Sequence, residues 1–239
     1  MRRLATFAGK IHKQLLAAYG EPTWREALPP LDELVSTILS QNTNDLNRDR
    51  AFSALRSRFP TWEAVRDGPT SAVVEAIRGA GLANQKGPRI QALLRDITRE
   101  RGALELGFLA KMRGEEARNW LMSFKGVGPK TAAIVLQFSL GKPAFPVDTH
   151  IYRVSGRIGL RPQKMSVEQS HGHLEALFQP ETYYAVHLNL IRLGREICRP
   201  RAPRCPQCPV RGLCAFEPKT RVEKAEGGAG GRRSPSTKR

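Results

Sequence analysis

Residues 119–156 read NWLMSFKGVGPKTAAIVLQFSLGKPAFPVDTHIYRVSG, and the fold turns on how this stretch is understood. The spacing predicts a short helix from Glu115 to Met122 that stops at Lys125-Gly126-Val127-Gly128, with Pro129 opening the next helix. Glycine tolerates positive φ and a close backbone approach, and proline at a first helical position has no N–H to leave unpaired. The free N–H groups of the turn and of the new helix then face outward, with the positive end of the helix dipole behind them. That arrangement suits a phosphate. A bare GxG equally fits an ordinary helix–turn–helix corner, so its neighbours decide. Lys130 falls in the first turn of an apolar helix, TAAIVL at 131–136, and Val147-Asp148-Thr149-His150 follows one short loop later.

Together, GVGPKTA at 126–132 and VDTH at 147–150 resemble the helix–hairpin–helix DNA glycosylases, and among them the endonuclease III family. The resemblance runs from about Leu31 to Cys214. It implies an all-α fold of two helical lobes with a DNA-binding cleft between them. It also implies a base-excision enzyme with a lysine nucleophile at Lys130 and an aspartate partner at Asp148. Lys125, Gly126, Val127, Gly128 and Thr131 become the expected DNA contacts of the hairpin. The family usually carries Leu-Pro before the first glycine, whereas this chain has Phe124-Lys125, so the turn should form but touch DNA differently.

Composition agrees with a polyanionic partner. The 239 residues carry a formal charge of +17. Residues 219–239 hold seven Lys or Arg and two Glu, so +12 remains on the body of the chain. Nucleic acid fits such a surface better than mere solvation does. Lys10, His12 and Lys13 interrupt the apolar runs behind Met1-Arg2-Arg3, and no stretch approaches membrane-spanning length. The expected partner is double-stranded DNA with damaged bases or abasic sites, bound by a monomer in the cytoplasm (nucleoid-associated in a bacterium), with no membrane involved.

Helical periodicity dominates the rest. Leu31, Leu34, Val35, Ile38 and Leu39 make one apolar stripe, and Leu46, Phe52, Leu55 and Phe59 follow a polar loop until Pro60 ends the run. A short helix near Val73–Arg78 leads to a second glycine turn, Gly79-Ala80-Gly81-Leu82, and another helix from about Lys86 presents Ile90, Leu93, Leu94 and Ile97. Later helices are expected at Thr149–Ile158, at Ser166–Phe178 behind a Ser166/Gln169 capping box, and at Glu181–Ile197. Nothing alternates as a strand would, so the chain reads as all-α. The resemblance divides it into a central helical domain at 22–133 and a second lobe from 1–21 plus 134–218. The Gly-rich basic tail, 219–239, reads as disordered on composition.

All four cysteines, Cys198, Cys205, Cys208 and Cys214, fall within 17 residues as C-x6-C-x2-C-x5-C. Clustered cysteines in an intracellular chain point to metal rather than disulfides. Four thiolates suit tetrahedral zinc or a cubane cluster equally. The resemblance implies the cubane, a [4Fe–4S] cluster that shapes a basic loop (Arg195, Arg199, Arg201, Arg204, Arg211) for DNA phosphate without taking part in catalysis.

A glycosidic bond inside a duplex is reached only by flipping the nucleotide out, and the gap left behind is commonly filled by protein side chains. In the resemblance, Leu82 is the wedge, with Lys86 close behind it, and Asn42 or its neighbour Gln41 fills the hole; each of these also fits an ordinary core or capping role. Lys130 needs its neutral amine to attack, and a helix N-terminus and a desolvated cleft both disfavour the ammonium. Asp148 suits charge stabilisation at the sugar and proton transfer, and it is equally well placed as an N-cap. His150 reads as structural, and His12, His171, His173 and His187 have no metal-ligand or triad context. The resulting expectation is a glycosylase and AP lyase for oxidised pyrimidines, working through a Schiff base and β-elimination. Its rivals are a monofunctional mismatch glycosylase on the same fold, whose members lack lysine at the position of Lys130, and a non-catalytic DNA-binding module.

Overall fold

The structure is a computed structural model that describes residues 1–24, 26–217 and 219; residues 220–239, nearly all of the expected tail, lie outside them. The described residues form eleven α-helices joined by short 3₁₀ turns, with no strand. None of these helices is long and apolar enough to cross a membrane.

Local chemistry sets most boundaries. α1 spans Arg2–Tyr19, and α2 (Pro30–Ser40) opens on proline with Asp32 and Glu33 in its first turn. Asn44 caps α3 (Asp45–Arg58) by accepting from Asn47 N at 2.8 Å, and Thr61 caps α4 (Trp62–Asp67) by accepting from Ala64 N at 3.1 Å. Such caps contribute about 1 kcal/mol each. α5 (Thr70–Ala76) leads through a 3₁₀ turn, Arg78–Ala80, into α6 (Ala83–Arg101). α7 (Gly114–Met122) and α8 (Pro129–Ile134) make the hairpin, and α8 runs on into a π-helical turn over Val135–Ser139. α9 has the expected span, Thr149–Ile158. α10 (Val167–Glu175) opens on the expected capping box: Ser166 accepts from Gln169 N and Gln169 accepts from Ser166 N, both at 3.1 Å. α11 covers Tyr183–Glu196.

Two hydrophobic cores organise these helices. The first gathers α2 to α8, from Leu31 to Ala144, and the second gathers α1, α9, α10 and α11 around Phe145, Ile151 and Leu190. In α2 burial goes beyond the expected stripe: every residue from Glu33 to Leu39 is buried. The helix is central, with α3, α6 and α8 packed around it, so even Ser36 and Thr37 are enclosed. In the second core α9 lies along α11, and α1 covers the same helix. Apolar side chains pass from one core to the other between Ala144 and Phe145.

Candidate active site and nucleic-acid interface

The hairpin is held from beneath. Val127 is 5% exposed and sits in the first core with Phe124, whose ring meets Trp120 edge-on at 4.7 Å. Its amide donates to Phe124 O at 3.1 Å and closes the turn. Gly126 has φ +90, a left-handed backbone that favours glycine, whereas Gly128 has φ −98 and needs no such freedom. A Cβ on Gly128 would meet nothing within 4 Å, so no contact inside the protein requires its smallness. Phe124-Lys125 therefore supports the turn: the phenyl ring is in the core and Lys125 is exposed. Among the expected DNA contacts, Val127 and Thr131 are buried, while Lys125, Gly126 and Gly128 are accessible.

Lys130, half-buried, lies one residue into α8, and Asp148, also half-buried, caps α9 by accepting from Ile151 N at 2.7 Å through Oδ1. They come from opposite cores, yet both charges act on His187 of α11. Burial pushes that imidazole down to about 4; Asp148 opposes the shift, and Lys130 and His171 add to it. A carbonyl only accepts, so His187 donates from Nδ1 to Pro146 O at 3.0 Å, and His171 of α10 donates from Nδ1 to Phe145 O at 3.1 Å. Glu175 accepts from Phe145 N at 2.8 Å and pairs with Arg118 of α7. The chain leading into Asp148 is thus clamped from three sides. Neither histidine had a local signal in the sequence, because their partners lie 26 and 41 residues away. His150 packs against Gly194 of α11 and meets Arg153, a structural setting.

Leu82 stands 47% exposed at the head of α6, with φ 51, and Asn42 is exposed with φ 55. Gln41 is engaged inside the protein: its Nε2 donates to Gly126 O at 3.5 Å, and its Oε1 accepts from Arg89 at 3.3 Å. Lys86, an expected DNA contact, is corrected by the structure. It is only 2% exposed and its ammonium donates to Leu39 O at 2.7 Å and Ala80 O at 2.9 Å. Its spacing of four and seven residues from Ile90 and Leu93 sets it on the buried face of α6, and the ends of two other helical segments close over its ammonium.

The cysteine loop is built differently. Of residues 198–217 only Val210 is buried, so apolar burial alone cannot fix a segment of this length. All four cysteines line one pocket whose other walls include Ile158, Leu193 and Phe216. Burial, followed by the neighbouring sulfurs, pushes the Cys208 thiol up to about 11 and raises Cys214 as well. Arg153 and Arg157 of α9, which carry no local signal in the sequence, brace the loop. Arg153 donates to Cys198 O at 2.9 Å, and Arg157 donates to Arg199 O at 2.6 Å and Pro200 O at 2.9 Å. No three His, Cys, Asp or Glu side chains among the described residues converge as ligands for a single metal ion. The donor chemistry, four sulfurs around one apolar pocket, fits a group held by four thiolates.

The chain is similar in sequence and fold to proteins already known. At3g47830 of Arabidopsis thaliana, provisionally named a DNA glycosylase, is 38% identical over 168 residues, covering 70% of this chain and 57% of its own length. Endonuclease III of Thermotoga maritima is 30% identical over 187 residues, 78% of this chain and 83% of that protein. The structure of a non-covalent endonuclease III–DNA complex superposes with a TM-score of 0.76 at 26% identity, over 88% of this chain and 95% of that one. Residues 35–180, more than half of the chain, match the family described as HhH-GPD superfamily base excision DNA repair protein, and because the hairpin, Lys130 and Asp148 all fall inside that match, the chain belongs to this superfamily.

Proposed function

We propose that the protein is a bifunctional DNA glycosylase and AP lyase of base excision repair that acts on oxidised pyrimidines in double-stranded DNA. The observation that carries this reading is that the charges of Lys130 and Asp148, at the starts of two helices, both reach the buried His187, while Lys130 follows directly on an accessible hairpin turn. The hairpin turn takes phosphate and the damaged nucleotide is flipped into the cleft between the cores. Lys130 Nζ attacks C1′ and the base leaves. Asp148 stabilises the positive charge that develops on the sugar and takes up the proton released by the amine. The C1′–O4′ bond then opens to give the Schiff base, O4′ taking the proton held by Asp148. The Schiff base loses a C2′ proton as the 3′ phosphate departs by β-elimination. Asn42, exposed beside an engaged Gln41, fills the gap left by the flipped nucleotide, and Leu82 parts its neighbours.

Cys198, Cys205, Cys208 and Cys214 would hold a [4Fe–4S] cluster. When bound, it supplies the cross-link that the loop's own burial does not. The four cysteines flank Val210, and Arg199, Arg201 and Arg204 are exposed on the same loop, where they could meet DNA phosphate.

The test is incubation with duplexes carrying thymine glycol, uracil, a G·T mismatch or an abasic site, with and without borohydride. Strand cleavage at thymine glycol and at the abasic site, with a protein–DNA adduct under borohydride, is expected. Base release without cleavage or adduct would indicate a monofunctional glycosylase, which the amine at position 130 disfavours. Binding with no reaction on any duplex would leave a DNA-binding module.

A further inference from the structure

The buried ammonium of Lys86 is an unusual expense in a core. Its hydrogen-bond partners are two main-chain carbonyls, with no carboxylate among them, and a methionine would fill the same volume without a charge to desolvate. The two carbonyls explain the choice. Leu39 lies in the last turn of α2, and Ala80 ends the 3₁₀ turn that precedes α6. Carbonyls at such ends lack partners further along their own helix and favour a cation. One ammonium therefore caps two helical ends at once.

Each capped end leads straight into a loop expected at the DNA. Ser40, Gln41 and Asn42 come directly after Leu39, and Gly81 and Leu82 come directly after Ala80. Only three non-glycine residues among those described have positive φ, and Asn42 and Leu82 are two of them. A left-handed backbone at such residues persists where the surroundings over-determine it. One turn further along α6, Arg89 donates to Gln41, which donates in turn to Gly126 of the hairpin, and the Arg89 stem closes on that glycine.

We infer that Lys86 is a positioning residue that locks the Asn42 loop and the Leu82 loop into one unit, so that gap-filler and wedge enter DNA together. The inference rests on the proposed function for its reading of these loops as DNA-inserting. A base pair opens only if the vacancy is filled as the wedge advances, and two loops moving separately would each have to be ordered on the DNA.

The test reads insertion without chemistry. A duplex carries an unreactive tetrahydrofuran abasic analogue beside 2-aminopurine, whose fluorescence rises on unstacking, and the full chain is added to saturation. Leu82→Ala, Lys86→Met and the double variant are compared with wild type. Each single change should reduce the insertion equilibrium by about tenfold, and the double should fall no further than the worse single, because Lys86 acts through the loops. Independent losses that multiply in the double variant would overturn the inference. Should Lys86→Met not fold, Lys86→Gln retains a donor for one carbonyl, and hydrogen exchange on the wild-type protein gives a second reading. Amides at 40–43 and 81–85 should gain protection at one and the same DNA concentration. Protection of the two loops at separate concentrations would equally overturn it. Failure of the wild-type chain to act on lesion duplexes would instead sink the proposed function and leave the insertion measurement intact.

Discussion

The hairpin and the cysteine loop are both irregular stretches, and they are held by opposite means. The hairpin is fixed by the protein's own packing: Phe124, Val127 and Thr131 are all buried within eight residues. The loop at 198–217 buries one side chain, Val210, and leans on arginines from α9 and on four sulfurs around a pocket. The contrast teaches where function can be separated from folding. On the proposed function, a change at Lys130 should alter the chemistry on an intact scaffold, whereas a change at a cysteine should loosen the loop itself.

The sharpest way to break this comparison is Lys130→Gln. With no amine, borohydride should trap nothing on abasic DNA, while binding stays within a few-fold and the melting temperature is unchanged. A trapped adduct in this variant would show that another amine is the nucleophile. Asp148→Asn comes next. Asparagine still caps α9, so stability should hold, but base excision should slow by about 10²-fold or more, the usual reach of a positioned acid–base group. Strand cleavage at a preformed abasic site should suffer less, and equal loss in both assays would place Asp148 in the lyase step as well.

The cysteine side is tested by Cys208→Ser. The wild-type protein should be yellow-brown, with about four irons per chain. The variant should lose iron and become open to proteolysis within 199–217, while the molecules that remain folded keep borohydride trapping. One zinc per wild-type chain would remove the cubane. The smallest effect is expected from pH. His187 is buried and its pKa is held down to about 4, against 6.5 for the free imidazole. The unfolded chain therefore takes up a proton that the folded one refuses between these values. Stability should be full above about pH 6.5 and should fall as pH drops toward 4, by at most about 1.4 kcal/mol per unit from this residue. His187→Asn should flatten urea-melt stability across that window. A slope that survives the substitution would assign it to the other imidazoles that burial also lowers, His12, His150 and His171.

What the sequence determined by itself is what acts over a turn or less. The Ser166 capping box, the cap at Asp148 and the start of α8 at Pro129 all depend on neighbours within about four residues, and they stand in the structure as the spacing requires. Helix ends such as Glu175, expected at Phe178, and Ala76, expected at Arg78, shifted by a few residues. The spacing of the four cysteines was likewise legible, because they share one short loop. What only the tertiary structure decided depends on chain from far away. Lys86 reads as a DNA contact until the fold supplies its partners, Leu39 O from 47 residues earlier and Ala80 O. His171 and His187 gained their roles from carbonyls 26 and 41 residues distant, and Gln41 was separated from Asn42 by a bond to Gly126, 85 residues on. A local pattern states which residue types stand together along a helix. Desolvation and hydrogen-bond partnership are properties of what packs against them, and they exist only once the two cores have formed.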